Sequence, residues 1–483
     1  MSASAFADIT QDVRYAARQL RKDRSFTAIA VLTLALGIGA TTTLFTVLNA
    51  VVLTPLPFPQ SDRLLSIATT WRGEPGAVSV GNFFLAKKRS RTIEAIAARS
   101  ASTFNLTQSG DPERITGAHV SAGYFDVFGA HPELGRTFTP DEDVPGSQLA
   151  LLSHSLFTRR FGGDPTIIRR TIWLSGRPHT FIGVMKSSFQ IPEDKTEVWT
   201  PLALTNGPDA FDASFLSVTA RLKPGVSQAQ IDNDVIAISE AMVQEAPRDN
   251  EGRRLSAVLL LDRIVGDYRQ RLFLLLGAVS LVFLIACVNV ASLLMARGAS
   301  RRQEISVRAA LGATRLRIAR QLLTEAFVLC SAGAVAGLTL AAIALPIFIS
   351  QAPADVPRLE GARINGVALM TATGIAFLAT LIAGLVPALR ESRAGLTRGA
   401  AQASRGSVGT VRDRVRQIFV AVEVALALML LMGAGLLIRS GQNLDRISPG
   451  FDPDNLLSAR FALPGASYPG EERPAAAVAR MVA

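Results

Sequence analysis

Long charge-free runs alternate along this chain with short segments crowded by arginine. From Ser25 to Ser61 no residue carries a charge. About 20 apolar residues suffice to cross a bilayer as a helix, so the pattern predicts a first span at 26–53, ending before Pro55 and Pro57. Further apolar runs predict spans at 271–296, 324–350, 364–389 and 417–438, the last broken only by Glu423. Hydrocarbon offers the backbone no hydrogen-bond partner, so all five are expected to be helices. The first run is too long for a signal-peptide core and no A-x-A site closes it, which fits a retained anchor.

The segment 54–268 has a different rhythm. Thr171–Leu174 and Thr180–Val184 are short runs of strand type, separated by the turn dipeptide Ser175-Gly176. Ser227 to Val243 reads as a helix entered through Pro224-Gly225 and Ser227. All three tryptophans, Trp71, Trp173 and Trp199, fall in this segment and no cysteine does. The expected architecture is an α-helical membrane domain of about five transmembrane helices plus an α+β extracytoplasmic domain held by its own core.

Composition agrees with a membrane protein: 49% of residues are hydrophobic, 18% are charged and mean hydropathy is +0.30. The net charge of +11 argues for nucleic acid only where basic residues spread over a soluble face. Here they gather at the ends of apolar runs, so no nucleic-acid partner is expected. The positive-inside rule places three such clusters in the cytoplasm. They are the N-terminal segment 1–25, with Arg14, Arg18, Arg21, Lys22 and Arg24; the segment 297–321, with Arg297, Arg301, Arg302, Arg308, Arg315, Arg317 and Arg320; and the linker 390–416. An alternating path then puts 54–268, the short loop 355–363 and the tail 439–483 outside the cytoplasm.

The chemistry on offer is sparse. Cys287 and Cys330 lie within apolar runs, and the histidines (His119, His131, His154, His179) follow no ligand or catalytic spacing. There is no G-x-S-x-G and no G-x-x-x-x-G-K-[ST]. No catalytic, metal or cofactor residue is therefore expected on this chain, and ATP would be bound by a separate partner.

One segment is more specific than the hydropathy: NVASLLMARGASRRQEISVRAALGATRLRIARQLLTEA, Asn289 to Ala326. It resembles the cytoplasmic signature of the MacB/FtsX-like ABC transporter permease superfamily, an E-I-x-x-R-x-A-L-G-A element after a span ending in small residues. Glu304, Ile305, Arg308, Ala310, Leu311, Gly312 and Ala313 carry it, with one residue's difference in how the alanines fall. The opening DVRYAARQLRKDRSFTAIAVLTLALGIGATTTLFTVLNAVVLTPLPFP is similar to that of the superfamily's duplicated-permease branch. The stretches PERITGAHVSAGYFDVFGAHPELGRTFTPDED and RRFGGDPTIIRRTIWLSGRPHTFIGVM resemble its MacB-like periplasmic domain. The resemblance implies a four-span unit with a large extracytoplasmic domain between spans one and two. It implies a second unit beginning with span five, whose extracytoplasmic domain starts at 439–483 and is cut short at Ala483.

The resemblance also gives 297–321 a role as a coupling loop or helix docking an ABC ATPase dimer, with Glu304, Ile305, Arg308, Leu311 and Gly312 as contact surface. By pattern alone, its arginines equally suit a topology signal, although Glu304 and Arg308 form an i,i+4 pair. Gly333 and Gly337 make a G-x-x-x-G step read as helix packing. Glu423 is an intramembrane acid and hence a functional candidate, with snorkelling toward Arg414 or Arg416 as the plainer reading; Asn289 reads as interhelical glue. The expected function is mechanical transmission from a separate ATPase to the periplasmic domain, for export or for switching an extracytoplasmic partner. Expected partners are that ATPase, a second permease unit or self-dimer, membrane lipid and a periplasmic protein. The alternatives are a non-transporting scaffold and an inactive fragment.

Overall fold

The computed structural model describes residues 3–107, 111–191, 195–300, 307, 314–353, 356–394 and 408–445. They fall into two compact units, one built from 3–54 and 267–445 and the other from 55–266.

Five helices of the first unit are long and apolar enough to cross a membrane. The first span runs Arg24–Leu48 and extends by a π-helical turn, Asn49–Leu53. A separate helix, Ala3–Lys22, precedes it, and the break falls at Asp23, whose backbone leaves the helical region (φ −100, ψ 68). The other spans are the helices Tyr268–Ser300, Arg315–Gln351, Gly366–Ala394 and Val408–Asp445. These helices outrun the apolar stretches because a helix needs backbone continuity, not hydrocarbon, to continue. The third begins at Arg315, inside the segment read from sequence as a coupling loop or helix, and the hydroxyl of Thr314 accepts from Arg317 N–H at 3.4 Å to cap it.

Spans one to four share a core of Leu34, Ile38, Phe283, Cys287, Leu329, Cys330, Ala379 and Ala383 among others. Lipid tails are as apolar as leucine, so close packing rather than water expulsion must hold these helices together. Small residues supply it. A Cβ on Gly37 would meet Phe283 and Ala286 of span two at 3.2–3.4 Å, and one on Gly39 would lie 2.8 Å from the carbonyl of Gly337 in span three. Several hydroxyls of span one bond within the helix: Thr41 donates to Gly37 O and Thr46 to Thr42 O.

The second unit contains twelve strands: β1 (Leu64–Trp71), β2 (Glu74–Gly76), β3 (Val78–Ser79), β4 (Ile93–Thr107), β5 (Glu113–Val120), β6 (Pro132–Gly135), β7 (Leu149–Leu152), β8 (Thr171–Leu174), β9 (Arg177–Met185), β10 (Val198–Pro201), β11 (Ser214–Leu222) and β12 (Arg253–Leu259). The main order is β12-β1-β11-β4-β5-β10-β7-β9-β6, with β5–β10 and β7–β9 parallel and the other neighbours in this order antiparallel. Fifteen-residue β4 joins two halves: its start pairs with β11, its later part with β5, and its end with β8. The strand read from sequence at Thr171–Leu174 is β8, and Thr180–Val184 lies inside β9. Ser175 and Gly176, both at positive φ, form the two-residue turn between them.

The helix expected from Ser227 runs Gln228–Glu245, packs on β12 and the helix Val80–Arg89, and buries Ile231, Ile238, Ala241 and Met242 in the core that β1, β4 and β11 also line. Its first turn is closed by Ser227 N–H donating to Gln230 Oε1 at 2.8 Å. On this helix Asp234 is 9% exposed and accepts from Ser90 Oγ, Thr92 Oγ1 and the backbone N–H groups of Arg91 and Thr92 at 2.5–3.1 Å. Burial alone would raise its pKa, but the hydrogen bonds from Ser90, Thr92 and the two amides outweigh burial and hold it below the ordinary aspartate value.

Candidate coupling site and an intramembrane polar pair

The residues named for ATPase contact, Glu304, Ile305, Arg308, Leu311 and Gly312, lie outside the described residues. Their flanks are described, and both are tied to the N-terminal helix. At the end of span two, Arg297 is 9% exposed; its Nη2 donates to Asp23 Oδ2 at 2.7 Å and to Gln19 O at 3.0 Å. Its guanidinium lies 4.7 Å from the ring centre of Phe26, close enough for cation–π attraction. At the start of span three, Arg320 Nε donates to Asp12 Oδ2 at 2.9 Å. The helix Ala3–Lys22 thus reaches both ends of the 297–321 segment while burying Ala16 and Leu20. Sequence reasoning weighed the basic residues of the N-terminal segment and passed over Asp12 and Asp23. Acids inside a basic cluster were the available signal.

Gly333 and Gly337 face span one. A Cβ at Gly333 would stand 2.6 Å from Leu34 Cβ, and one at Gly337 would stand 3.0 Å from both Ala35 O and Gly39 N.

The side chains of Arg414 and Arg416 lie outside the described residues; among the described residues Glu423 meets Asn289 of span two. With the amide turned so that both groups are satisfied, Asn289 Nδ2 donates to the Glu423 carboxylate oxygens at 2.9 and 3.3 Å.

Three of the histidines bond to neighbouring polar groups. His119 Nδ1 bonds the Thr200 hydroxyl at 2.7 Å, His154 pairs with Glu133 at 2.8 Å, and His179 bonds the Arg177 carbonyl of its own strand. Burial pushes the pKa of His119 and His179 down. Among the described residues no three His, Cys, Asp or Glu side chains gather as a metal site.

Five helices long and apolar enough to span, with a twelve-stranded α+β unit inserted between the first two, define a multi-pass membrane protein with a large domain outside the spans. The family model of the MacB-like periplasmic core domain matches residues 27–238, and that of the FtsX-like permease C-terminal domain matches 276–395. The chain belongs to the MacB/FtsX-like ABC permeases.

It is 26% identical over 283 residues to a macrolide export ATP-binding/permease protein MacB of Neisseria meningitidis, covering 57% of this chain and 41% of that one. It is 26% identical over 261 residues to the ABC transporter permease YknZ of Bacillus subtilis, covering 52% of this chain and 63% of that one. The chain therefore spans well under two thirds of the length of the MacB relatives. Among solved structures, the periplasmic region of MacB from Actinobacillus actinomycetemcomitans is similar at 15% identity and a TM-score of 0.32, covering 43% of this chain and 92% of that one.

Proposed function

We propose that this chain is the membrane-spanning permease part of an ABC-type complex and that it relays ATP-driven motion from an ATPase dimer to its periplasmic domain. The observation that carries this reading is the double tie of the N-terminal helix to the two flanks of the 297–321 segment, through Arg297–Asp23 and Arg320–Asp12. A push on that segment reaches span two and span three directly. It reaches span one through the N-terminal helix, so all three helices receive it together. Spans one and two are the two that lead into and out of the periplasmic domain in the sequence. The arginine-rich segments lie on the cytoplasmic side under this reading, with the N-terminus among them. A second permease unit or a second copy completes the complex. Relatives named for macrolide export and for probable syringafactin export support export as the activity this motion serves.

The test is a pull-down of the detergent-solubilised chain against ABC ATPase subunits of the host. The wild type is expected to retain an ATPase, and Glu304→Ala/Arg308→Ala to lose it while keeping its size-exclusion profile. Equal retention by the double variant, or no ATPase with either protein, overturns the reading.

A further inference from the structure

Among its described residues, span five is covered along one stripe. Phe419, Glu423, Leu426 and Leu430 are the described residues of its 417–443 stretch that are partly covered. Their steps of four, three and four residues place them on one helix face. The large apolar residues elsewhere on it, from Ile418 to Ile438, are 41% to 69% exposed. Glu423 sits in the middle of the covered stripe, bonded to Asn289.

Span one is the informative comparison. Both helices carry a G-x-G, Gly37/Gly39 and Gly433/Gly435. Aligning these steps sets Glu423 against Thr27, each ten residues before its first glycine. Thr27 needs no neighbour, because its hydroxyl donates to Leu20 O at 2.7 Å. Span one packs on span two through Gly37, against Phe283 and Ala286. Asn289 is about 60° to 120° further round span two, at 100° per residue. Two related helices therefore flank span two on different faces, and a carboxylate stands on only one of them.

We infer that the Asn289–Glu423 pair is an intramembrane latch that selects span five for the Asn289 face of span two and fixes its depth and rotation there. The inference is independent of the coupling reading, since it concerns how the helices assemble and not what moves them. Apolar stripes slide and rotate against each other at little cost, because every position along them is alike. A carboxylate in hydrocarbon is tolerated only with a partner, and here one amide at one depth provides it. A single polar position sets register between helices in the same way in coiled coils. Span one carries Thr27 in place of the acid, so it gains nothing on the Asn289 face.

The experiment uses the full chain with a protease site placed in 395–407. After solubilisation and cleavage, the fraction of span-five fragment that stays with the remainder is measured. The wild type is expected to keep its fragment. Glu423→Ala and Asn289→Ala are each expected to retain roughly threefold to tenfold less, the range that interhelical polar contacts of this kind support. Glu423→Gln preserves an acceptor and is expected to retain near the wild-type amount. The exchange Asn289→Glu/Glu423→Asn restores the pair and is expected to restore retention, which separates a lost pair from a misfolded helix. Alanine variants that retain as the wild type does, or an exchange variant as depleted as the single ones, overturn the latch.

Discussion

Asp234 in the periplasmic domain and Glu423 in span five are both acids set against a protein interior, and their partners differ in kind. Asp234 draws on the end of one helix and the turn that follows: Ser90, Thr92 and two main-chain amides. Glu423 has the side-chain amide of Asn289. The difference is in the backbone. At 90–92 the chain is leaving a helix and entering a strand, so amides are free to bond a side chain. Within a spanning helix every amide is already committed to the helix ladder, and an acid can be met only by a side chain from another helix. A buried acid in the globular unit therefore reports local structure, whereas one in a span reports which helices touch.

The largest effect expected from this contrast falls where the spans rely on absence of side chain rather than on polar partners. Gly337→Leu thrusts a side chain at backbone atoms of span one, Ala35 O and Gly39 N, 3.0 Å from where its Cβ must lie. Backbone cannot rotate aside as a flexible side chain does. Overpacking typically costs about 1–3 kcal/mol and more against a rigid neighbour, so the variant is expected to lose its monodisperse size-exclusion peak in detergent. A wild-type profile for Gly337→Leu breaks the account of the span one–span three contact.

A smaller effect, confined to the other unit, is expected from Asp234→Asn. It replaces an acceptor-only carboxylate by an amide that faces the same donors with one acceptor, which costs about 2 kcal/mol. For a domain of this size that lowers Tm by roughly 4–8 °C. All three tryptophans belong to this unit, so tryptophan fluorescence reads it in the full chain. The sign of the pH dependence follows from a folded pKa held below the ordinary value. The stabilisation by Asp234 is complete above about pH 4, the unfolded value, and is lost as pH falls through the lower folded one. Glu142, held down to about 2 chiefly by its hydrogen bond with Arg136, titrates in the same direction, but an exposed pair contributes little. The wild-type Tm is expected to drop below about pH 4 more steeply than that of Asp234→Asn. Parallel slopes would assign the acid sensitivity to other groups.

How much of this was legible in the sequence follows the same division. The spans were, because lipid excludes charge and a charge-free run needs no partner to be recognised. β8 and the helix after Ser227 were, because turn and cap residues act within a few positions. Glu423 was flagged by its surroundings alone, yet Asn289 was not named as its partner, since nothing local to either residue encodes the other. Asp12 and Asp23 were missed for the same reason: an ion pair between an N-terminal helix and the flanks of a distant segment leaves no period to read. The charge-free run marks the apolar part of the third helix, 324–350, whereas the helix itself begins at Arg315, after the cap residue Thr314.

The smallest effect is expected at Gly435, and it sharpens the comparison of span one with span five. Gly435 belongs to the same G-x-G step as Gly39, but where a Cβ on Gly39 would collide with span three, one on Gly435 has nothing within 4 Å. Its neighbours Leu436 and Leu437 are 69% and 59% exposed. Gly435→Leu adds a side chain to an open helix surface that lipid or detergent covers, and it replaces a poor helix former by a good one. Stability is expected to stay within about 0.5 kcal/mol of wild type, with the size-exclusion peak and the fragment retention of the latch assay both unchanged. A collapse of either would mean that this face of span five is packed in the assembled protein, as the equivalent face of span one is against Gly337.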